Sequence, residues 1–204
     1  MKKKLRLENQ QFTRSKILDS SEYHFSKYGF SGAAVDSIVK EAGYSRGAFY
    51  SNFSSKEDLF LSLMEARMEE IISEINNLNS IPLTLSQKID KLKEFYINRA
   101  QNKMFCLVMS EFLLHSIRDS EMKDRIIALN RKYNKSISKV IENIFKEGKV
   151  KPNIHPDDIA VCLLSFGEGL MIQHFADPNE INKKRIISIL ENFFKNYIMI
   201  PLKM

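Results

Sequence analysis

Between residues 45 and 56 the chain reads SRGAFYSNFSSK, with polar groups at spacings that suit recognition of a polyanion. Arg46 carries a planar fork of donors that matches guanine O6 and N7, while Ser45, Tyr50, Ser51 and Asn52 offer hydroxyls and an amide able to reach phosphate oxygens. Gly47 and Ala48 lack bulk, so the backbone that carries them can lie close against a groove. Lys56 falls at the start of a further helical pattern, where an ammonium beside the free N–H groups of a helix start makes a phosphate clamp. Together Ser45, Arg46, Gly47, Ala48, Tyr50, Ser51, Asn52 and Lys56 describe a surface for double-stranded DNA.

Competing chemistries find little support. Glu111 and His115 share a helix face at i and i+4, but there is neither an HExxH motif nor an ExxH pair, and the four histidines are scattered. No GxSxG, Walker loop or dinucleotide fingerprint occurs, so neither an enzyme nor a cofactor nor a metal is expected. Cys106 and Cys162 stand in apolar surroundings without CxxC spacing and read as two buried, reduced thiols. A net charge of +6 is compatible with a polyanionic partner, and residues 1–64 hold ten Lys/Arg against seven Asp/Glu, with Lys2, Lys3, Lys4 and Arg6 at the very start. No apolar run approaches the ~18 residues of a membrane span, and MKKKLR leads into polar LENQQ, so a cytoplasmic protein with no membrane partner is expected.

The elements that must position these groups are helices. Apolar residues recur at three and four rather than two, and all five prolines fall between or beyond helical patterns, which predicts an all-α chain of about nine helices. The first is expected from Gln10 or Thr13 to Tyr28 with Gly29 as its stop. Short second and third helices follow, at Val35–Ala42 and from Ser45 to about Phe53, with Gly43 at the tight turn between them. This is a helix-turn-helix, whose second helix enters the major groove. Ser55 with Asp58 and Thr84 with Gln87 read as capping boxes opening the fourth helix, to about Leu78, and the fifth, to about Gln101. Later helices are expected at Met104–Ile117, Ser120–Glu147, Pro156–Phe175 and Glu180–Ile200.

Residues 13–63, TRSKILDSSEYHFSKYGFSGAAVDSIVKEAGYSRGAFYSNFSSKEDLFLSLM, resemble the DNA-binding domain of the TetR family of bacterial transcriptional regulators. The Phe-x-x-x-Gly close of the first helix, the Val-x-x-Ile-x-x-x-Ala-Gly second helix and the Ser-Arg-Gly-x-x-Tyr-x-x-Phe-x-x-Lys-x-x-Leu run all match. The resemblance implies that Tyr50 and Lys56 bind phosphates, that Arg46 and its neighbours read bases, and that the whole is a ligand-responsive regulator, expected to be a repressor. Three positions depart from the pattern: Ala33 and Ala34 replace a capping threonine, for which Ser31 is the expected substitute; Asn52 replaces a histidine; and His24, expected at a partly exposed core edge, stands where an apolar residue is usual.

On this reading residues 1–55 form an N-terminal arm and DNA-binding domain, and residues 56–204 a helical domain for effector binding and dimerisation, joined by the long fourth helix. The segment FGEGLMIQHFADP resembles the penultimate helix of many family members, whose last two helices pair with their symmetry mates. The near all-round apolarity of the eighth helix and the 4-3-4-3 stripe of the ninth agree, which nominates Phe166, Gly167, Leu170, Ile186, Leu190, Phe193 and Tyr197 for a homodimer interface. Phe95, Tyr96, Phe105, Met109, Phe112, His115, Met171, His174 and Phe175 are the candidates for a pocket that takes a mainly apolar or aromatic small molecule.

Overall fold

The structure is a computed structural model that describes residues 2–118, 120–149 and 151–199. Among these the chain is all helix and loop, and it divides into two compact units, residues 1–67 with 107–122 and residues 68–106 with 123–204. The first unit is therefore larger than residues 1–55, the segment assigned above to DNA contact; it takes in the opening turns of the fourth helix and most of the sixth.

In the first unit, α1 (Lys2–Gly32) begins earlier than expected, and its chain breaks helical geometry at Gly29, with φ 70° and ψ 170°. α2 (Val35–Glu41) and α3 (Arg46–Tyr50) follow, α3 being shorter than predicted because Ser51 and Asn52 already form a turn. Between them Gly43 sits at φ 79°, a conformation glycine adopts without strain. Ala34 is the N-cap of α2 and no side chain caps it, so the cap expected from Ser31 is not made; Ser31 follows the Gly29 break, where its carbonyl rather than its hydroxyl is engaged. Phe25, Phe49, Phe53, Phe60, Ile17 and Ile38 are fully buried in the core of α1, α2, α3 and the start of α4 (Lys56–Ser80), with Phe25 edge-on to Phe60 at 4.9 Å and Phe49 tilted against Phe53 at 5.6 Å. His24 is buried rather than partly exposed, bonded to Glu41 at 2.8 Å. From α6 (Lys103–Arg118), Phe112 is buried at 5.8 Å from the Phe60 ring, and His115 stands edge-on to Phe30 at 4.4 Å.

The second unit holds the rest of α4, α5 (Leu85–Arg99), all but the first residues of α7 (Ser120–Glu147), α8 (Pro156–Ala176) and α9 (Lys183–Phe194), which runs on as a π-helical turn over Lys195–Met199. Ile200, the expected end of the last helix, lies outside the described residues. The Thr84 capping box is complete: Gln87 N–H donates to the Thr84 hydroxyl at 3.3 Å, and Gln87 Oε1 accepts from Thr84 N–H at 2.9 Å. At Ser55 the box is half made, Asp58 N–H donating to Ser55 Oγ while the Asp58 carboxylate accepts from Ser54. The α7 stripe of Ile126, Leu129, Tyr133, Ile137, Val140 and Ile144 is buried as its spacing required.

Two expectations fail on α8. This helix is long and apolar enough to cross a membrane by length and composition, which corrects the reading that no segment approaches that limit; interrupting Gly and Glu residues disguise it as several short runs. Cys106 is buried as expected but Cys162 is exposed, because α8 buries Ile159, Ala160, Leu163, Leu170 and Met171 on one side and leaves Val161, Cys162 and Ile172 on the other; Phe166, in line with Ile159, Leu163 and Leu170, packs on Phe193 and stays partly exposed.

Candidate nucleic-acid interface and effector region

Ser45 opens α3 in extended geometry, and its hydroxyl accepts from Ala48 N–H at 3.2 Å. With Phe49 fully buried, the helix must turn Arg46, Gly47 and Tyr50 outward, and all three are exposed along with Ser45 and Ser51. Arg46 is loosely held, its guanidinium 3.3 Å from Asp36 on α2 and 5.9 Å from the centre of the Tyr50 ring. The hydrogen bond from Arg46 to Tyr50, and then the Asp36 carboxylate, raise its pKa, so it is cationic throughout the physiological range. Ala48 and Asn52 are half-buried, and Asn52 turns its amide back to the Ala48 carbonyl at 2.8 Å.

What fixes this short helix is a residue that local reading passes over. Arg14 on α1 donates to the Asn52 carbonyl at 2.6 Å and to the Ser62 hydroxyl at 2.7 Å, and its guanidinium lies 4.2 Å over the Phe53 ring. One side chain thereby ties the end of α3 to α1 and α4. Gln10 adds a hydrogen bond, its side-chain Nε2 donating to the Ser51 carbonyl at 3.3 Å.

Lys56 is employed differently from a simple phosphate clamp. Its ammonium donates to the carbonyls of Phe30 at 2.7 Å, Ala33 at 3.2 Å and Ser31 at 3.4 Å, where α1 ends, and lies 4.6 Å from the Phe30 ring centre. An ammonium has three protons and three carbonyls occupy them. The same segment is held from α6, where the Glu111 carboxylate accepts the Phe30 N–H at 2.7 Å. A Cβ at Gly29 would lie only 3.1 Å from that carboxylate, so positive φ and close approach both demand glycine here. Glu111, weighed above as half of a metal pair with His115, is thus a backbone cap, while His115 packs on Phe30; among the described residues no cluster of three metal-ligating side chains occurs.

The effector candidates divide between the units. Met109, Phe112 and His115 belong to the first, and Phe95, Tyr96, Phe105, Met171, His174 and Phe175 to the second. In the second unit His174 is taken up locally, its Nδ1 paired with the Ile181 carbonyl at 2.7 Å and its ring 4.7 Å from that of Phe175. Phe95 and Phe105 both stack on Arg99, at 4.6 and 5.3 Å. Tyr96 is buried and its hydroxyl has no partner; neither has Arg99 Nε. Burial, then the charge of Tyr133, pushes the Tyr96 phenol well above its usual pKa, and burial does the same for Tyr133. Glu168 on α8, pushed above the usual carboxylate range by desolvation, acts on both phenols through its charge. Neither Arg99 nor Glu168 announced itself in the sequence, and Tyr133 did so only as part of the α7 stripe. A separate cleft of about 860 Å³ between Asn76, α7 and the start of α8 is lined by Arg131, Lys132, Lys135 and Lys139 and by none of the nine candidates.

Of the proposed dimer residues, Leu170, Ile186, Leu190 and Phe193 are buried within the second unit, Gly167 packs against Tyr96, and Phe166 and Tyr197 are nearly half exposed.

The profile for bacterial regulatory proteins of the tetR family matches residues 17–63, and that for the C-terminal part of BetI-type transcriptional repressors matches residues 87–198. The HTH-type regulator YfiR of Bacillus subtilis is 23% identical over 174 residues, 84% of each chain. The repressor AcnR of Corynebacterium glutamicum is 40% identical over 65 residues, 30% of this chain and 35% of that one. Among solved structures, a Saccharomonospora viridis regulator in complex with choline superposes with a TM-score of 0.77 at 18% identity, covering 92% of this chain and 98% of that one. Bacillus subtilis FadR in complex with stearoyl-CoA gives 0.74 at 16% identity, covering 90% and 97%. With a helix-turn-helix that exposes Arg46 and Tyr50 at one end and a matched C-terminal domain over more than half its length, the chain belongs to the TetR family of bacterial transcriptional regulators.

Proposed function

We propose that the protein is a cytoplasmic, homodimeric repressor that binds a palindromic DNA operator and is released by a small, mainly apolar or aromatic effector, without enzymatic activity or cofactor. The observation that carries this is the exposure of Arg46, Gly47 and Tyr50 on a helix held from behind by Phe49 and Arg14. Two such helices about a twofold axis enter successive major grooves about 34–36 Å apart. Arg46 reads base edges, Gly47 and Ala48 admit close approach, and Ser45, Tyr50, Ser51 and Asn52 bond the backbone. Lys56, its protons engaged on α1, contributes charge and holds the helix-turn-helix frame.

The dimer face is the exposed edge of Phe166 on α8, continued across the Phe193 ring to Tyr197, whereas Ile186 and Leu190 form the core beneath it. Repression is supported by the names of the relatives AcnR and the BetI-type repressors, and effector response by relatives solved with choline, stearoyl-CoA and triclosan. Effector binding in the second unit biases the spacing of the DNA-binding heads through α4 and α6, each of which has residues in both units. The test is fluorescence anisotropy of the purified protein on its own upstream intergenic DNA and on a scrambled duplex at about 0.15 M salt. A preference of roughly 10³-fold or more is expected. Equal, weak and steeply salt-sensitive binding to both would refute a specific operator at that locus.

A further inference from the structure

The second unit contains a group of polar atoms that its own folding does not use. Tyr96 is 5% exposed and Tyr133 8%, yet the Tyr96 hydroxyl has no hydrogen-bond partner. Arg99, one turn further along α5, sends its terminal nitrogen to Glu74 at 3.1 Å and sandwiches its guanidinium between Phe95 and Phe105, leaving Nε buried and unbonded. From α8, Gly167 brings the backbone so near that a Cβ would lie 3.5 Å from the Tyr96 ring, and Glu168 is the next residue. Its carboxylate has no ion-pair or hydrogen-bond partner among the described residues. Buried polar groups in native proteins are nearly always satisfied, so two unmet ones on α5, with the half-buried Glu168 on the helix packed against it, mark a place where something else supplies the partners.

The charge balance says what that something is. Glu74 neutralises Arg99, which leaves the Glu168 carboxylate as the one uncompensated charge of the group, one residue from the glycine that packs on the Tyr96 ring, and aromatic rings favour cations. We propose that Glu168, Tyr96, Tyr133 and Arg99 form the polar end of the effector site, and that the effector is an organic cation with an oxygen acceptor near its charged nitrogen. The nitrogen takes the Glu168 carboxylate and the phenol rings, and the oxygen accepts from Arg99 Nε and the Tyr96 hydroxyl. This rests on the effector-responsive reading given above and refines it, since the apolar part of the molecule then lies along Phe95, Phe105 and Met171.

Three probes of one skeleton and different charge test it: 2-phenoxyethylamine, cationic at neutral pH, neutral 2-phenoxyethanol and anionic phenoxyacetate. Isothermal titration calorimetry on the full-length protein without DNA should show the amine binding at least ten times more tightly than the alcohol, and phenoxyacetate weakest. Glu168→Gln, which keeps the shape, should abolish the preference for the amine, and Tyr96→Phe should weaken the amine and the alcohol alike. Circular dichroism melts check that both variants fold, and Glu168→Gln should melt no lower than wild type, because the carboxylate it removes has no partner to lose. Equal or tighter binding of phenoxyacetate, no binding of any probe, or an amine preference that survives Glu168→Gln would overturn the proposal. The anisotropy experiment with the protein's own upstream DNA fails or succeeds independently, so a cation preference without operator binding would sink the regulatory reading alone, and the converse this one alone.

Discussion

Lys56→Met isolates the ammonium, since methionine retains an unbranched apolar side chain in its place. The three carbonyls it leaves, on Phe30, Ser31 and Ala33, belong to the end of α1, and the Phe30 carbonyl at 2.7 Å is the strongest contact. A hydrogen bond from a charged donor contributes about 1.5–3 kcal/mol net, and a cation at a helix C-terminus a further ~0.3–1 kcal/mol. The two longer bonds add little. The substitution should therefore cost about 2–4 kcal/mol, which for a chain of this size lowers Tm by roughly 5–15 °C. Because the partners are neutral carbonyls packed under the helix end, the deficit should persist in high salt, unlike that of a surface ion pair. DNA binding gives the second readout. Loss of a true phosphate contact reduces the slope of log K against log salt by about 0.9, whereas a lysine whose protons are all engaged should change it much less. Thermal melts at low and high salt, with anisotropy titrations across the same range, decide the matter. A variant that melts within about one degree of wild type, with its salt slope shallower by about 0.9, would refute the capping role and make Lys56 a phosphate ligand.

The remaining predictions concern both units. Arg46→Ala should weaken operator binding roughly 10- to 100-fold and narrow the gap between operator and scrambled duplex in anisotropy, while leaving the melt unchanged, since its partner Asp36 is exposed. Gly29→Ala should destabilise by about 1–3 kcal/mol in thermal or urea melts, because its backbone conformation is nearly exclusive to glycine and the new Cβ meets the Glu111 carboxylate. Phe166→Glu should turn a dimer into a monomer in analytical ultracentrifugation without unfolding it, since the ring is 44% exposed on α8. For Glu168 the folded pKa lies above the unfolded one, so the native state binds the extra proton and stability falls as pH rises from the ordinary carboxylate range through the raised value. The melting advantage of Glu168→Gln over wild type should be near zero at acidic pH and present at neutral pH; an advantage equal at both would contradict the shift.

The parts of the molecule legible in the sequence are those whose cause is local. Thr84 and Gln87 form their capping box because three residues of helix suffice to bring them together, and Gly43 turns the chain because no residue but its own neighbours sets its φ. The α7 stripe is buried where its spacing put it, since an amphipathic helix needs only some apolar surface to face. Even the short α3 begins where the sequence placed its start, at Ser45, with only its last turn misjudged. Periodicity says which residues of a helix are apolar, however, not which neighbour covers them. Ile186 and Leu190 make an equally good stripe for an internal core or a partner, and the structure buries them internally.

What escaped reading are polar contacts between residues far apart in the chain. Arg14 meets Asn52 across 38 positions, Glu111 meets Phe30 across 81, and Lys56 meets Phe30 across 26. None of these has a spacing to betray it, because tertiary packing rather than a helical repeat brings the atoms together. Lys56 shows how a local inference can miss a partner: it does stand at a helix N-terminus, but it also satisfies the C-terminus of α1. Both Lys56 and Glu111 grip the segment after Gly29, one on its carbonyls and one on an N–H, so the sole glycine-specific break in α1 is held from α4 and from α6. A segment fixed by two charged side chains from two different helices has its position set by both. A shift of either helix must therefore break charge-assisted bonds or carry the end of α1, and with it the mount of α2 and α3, along.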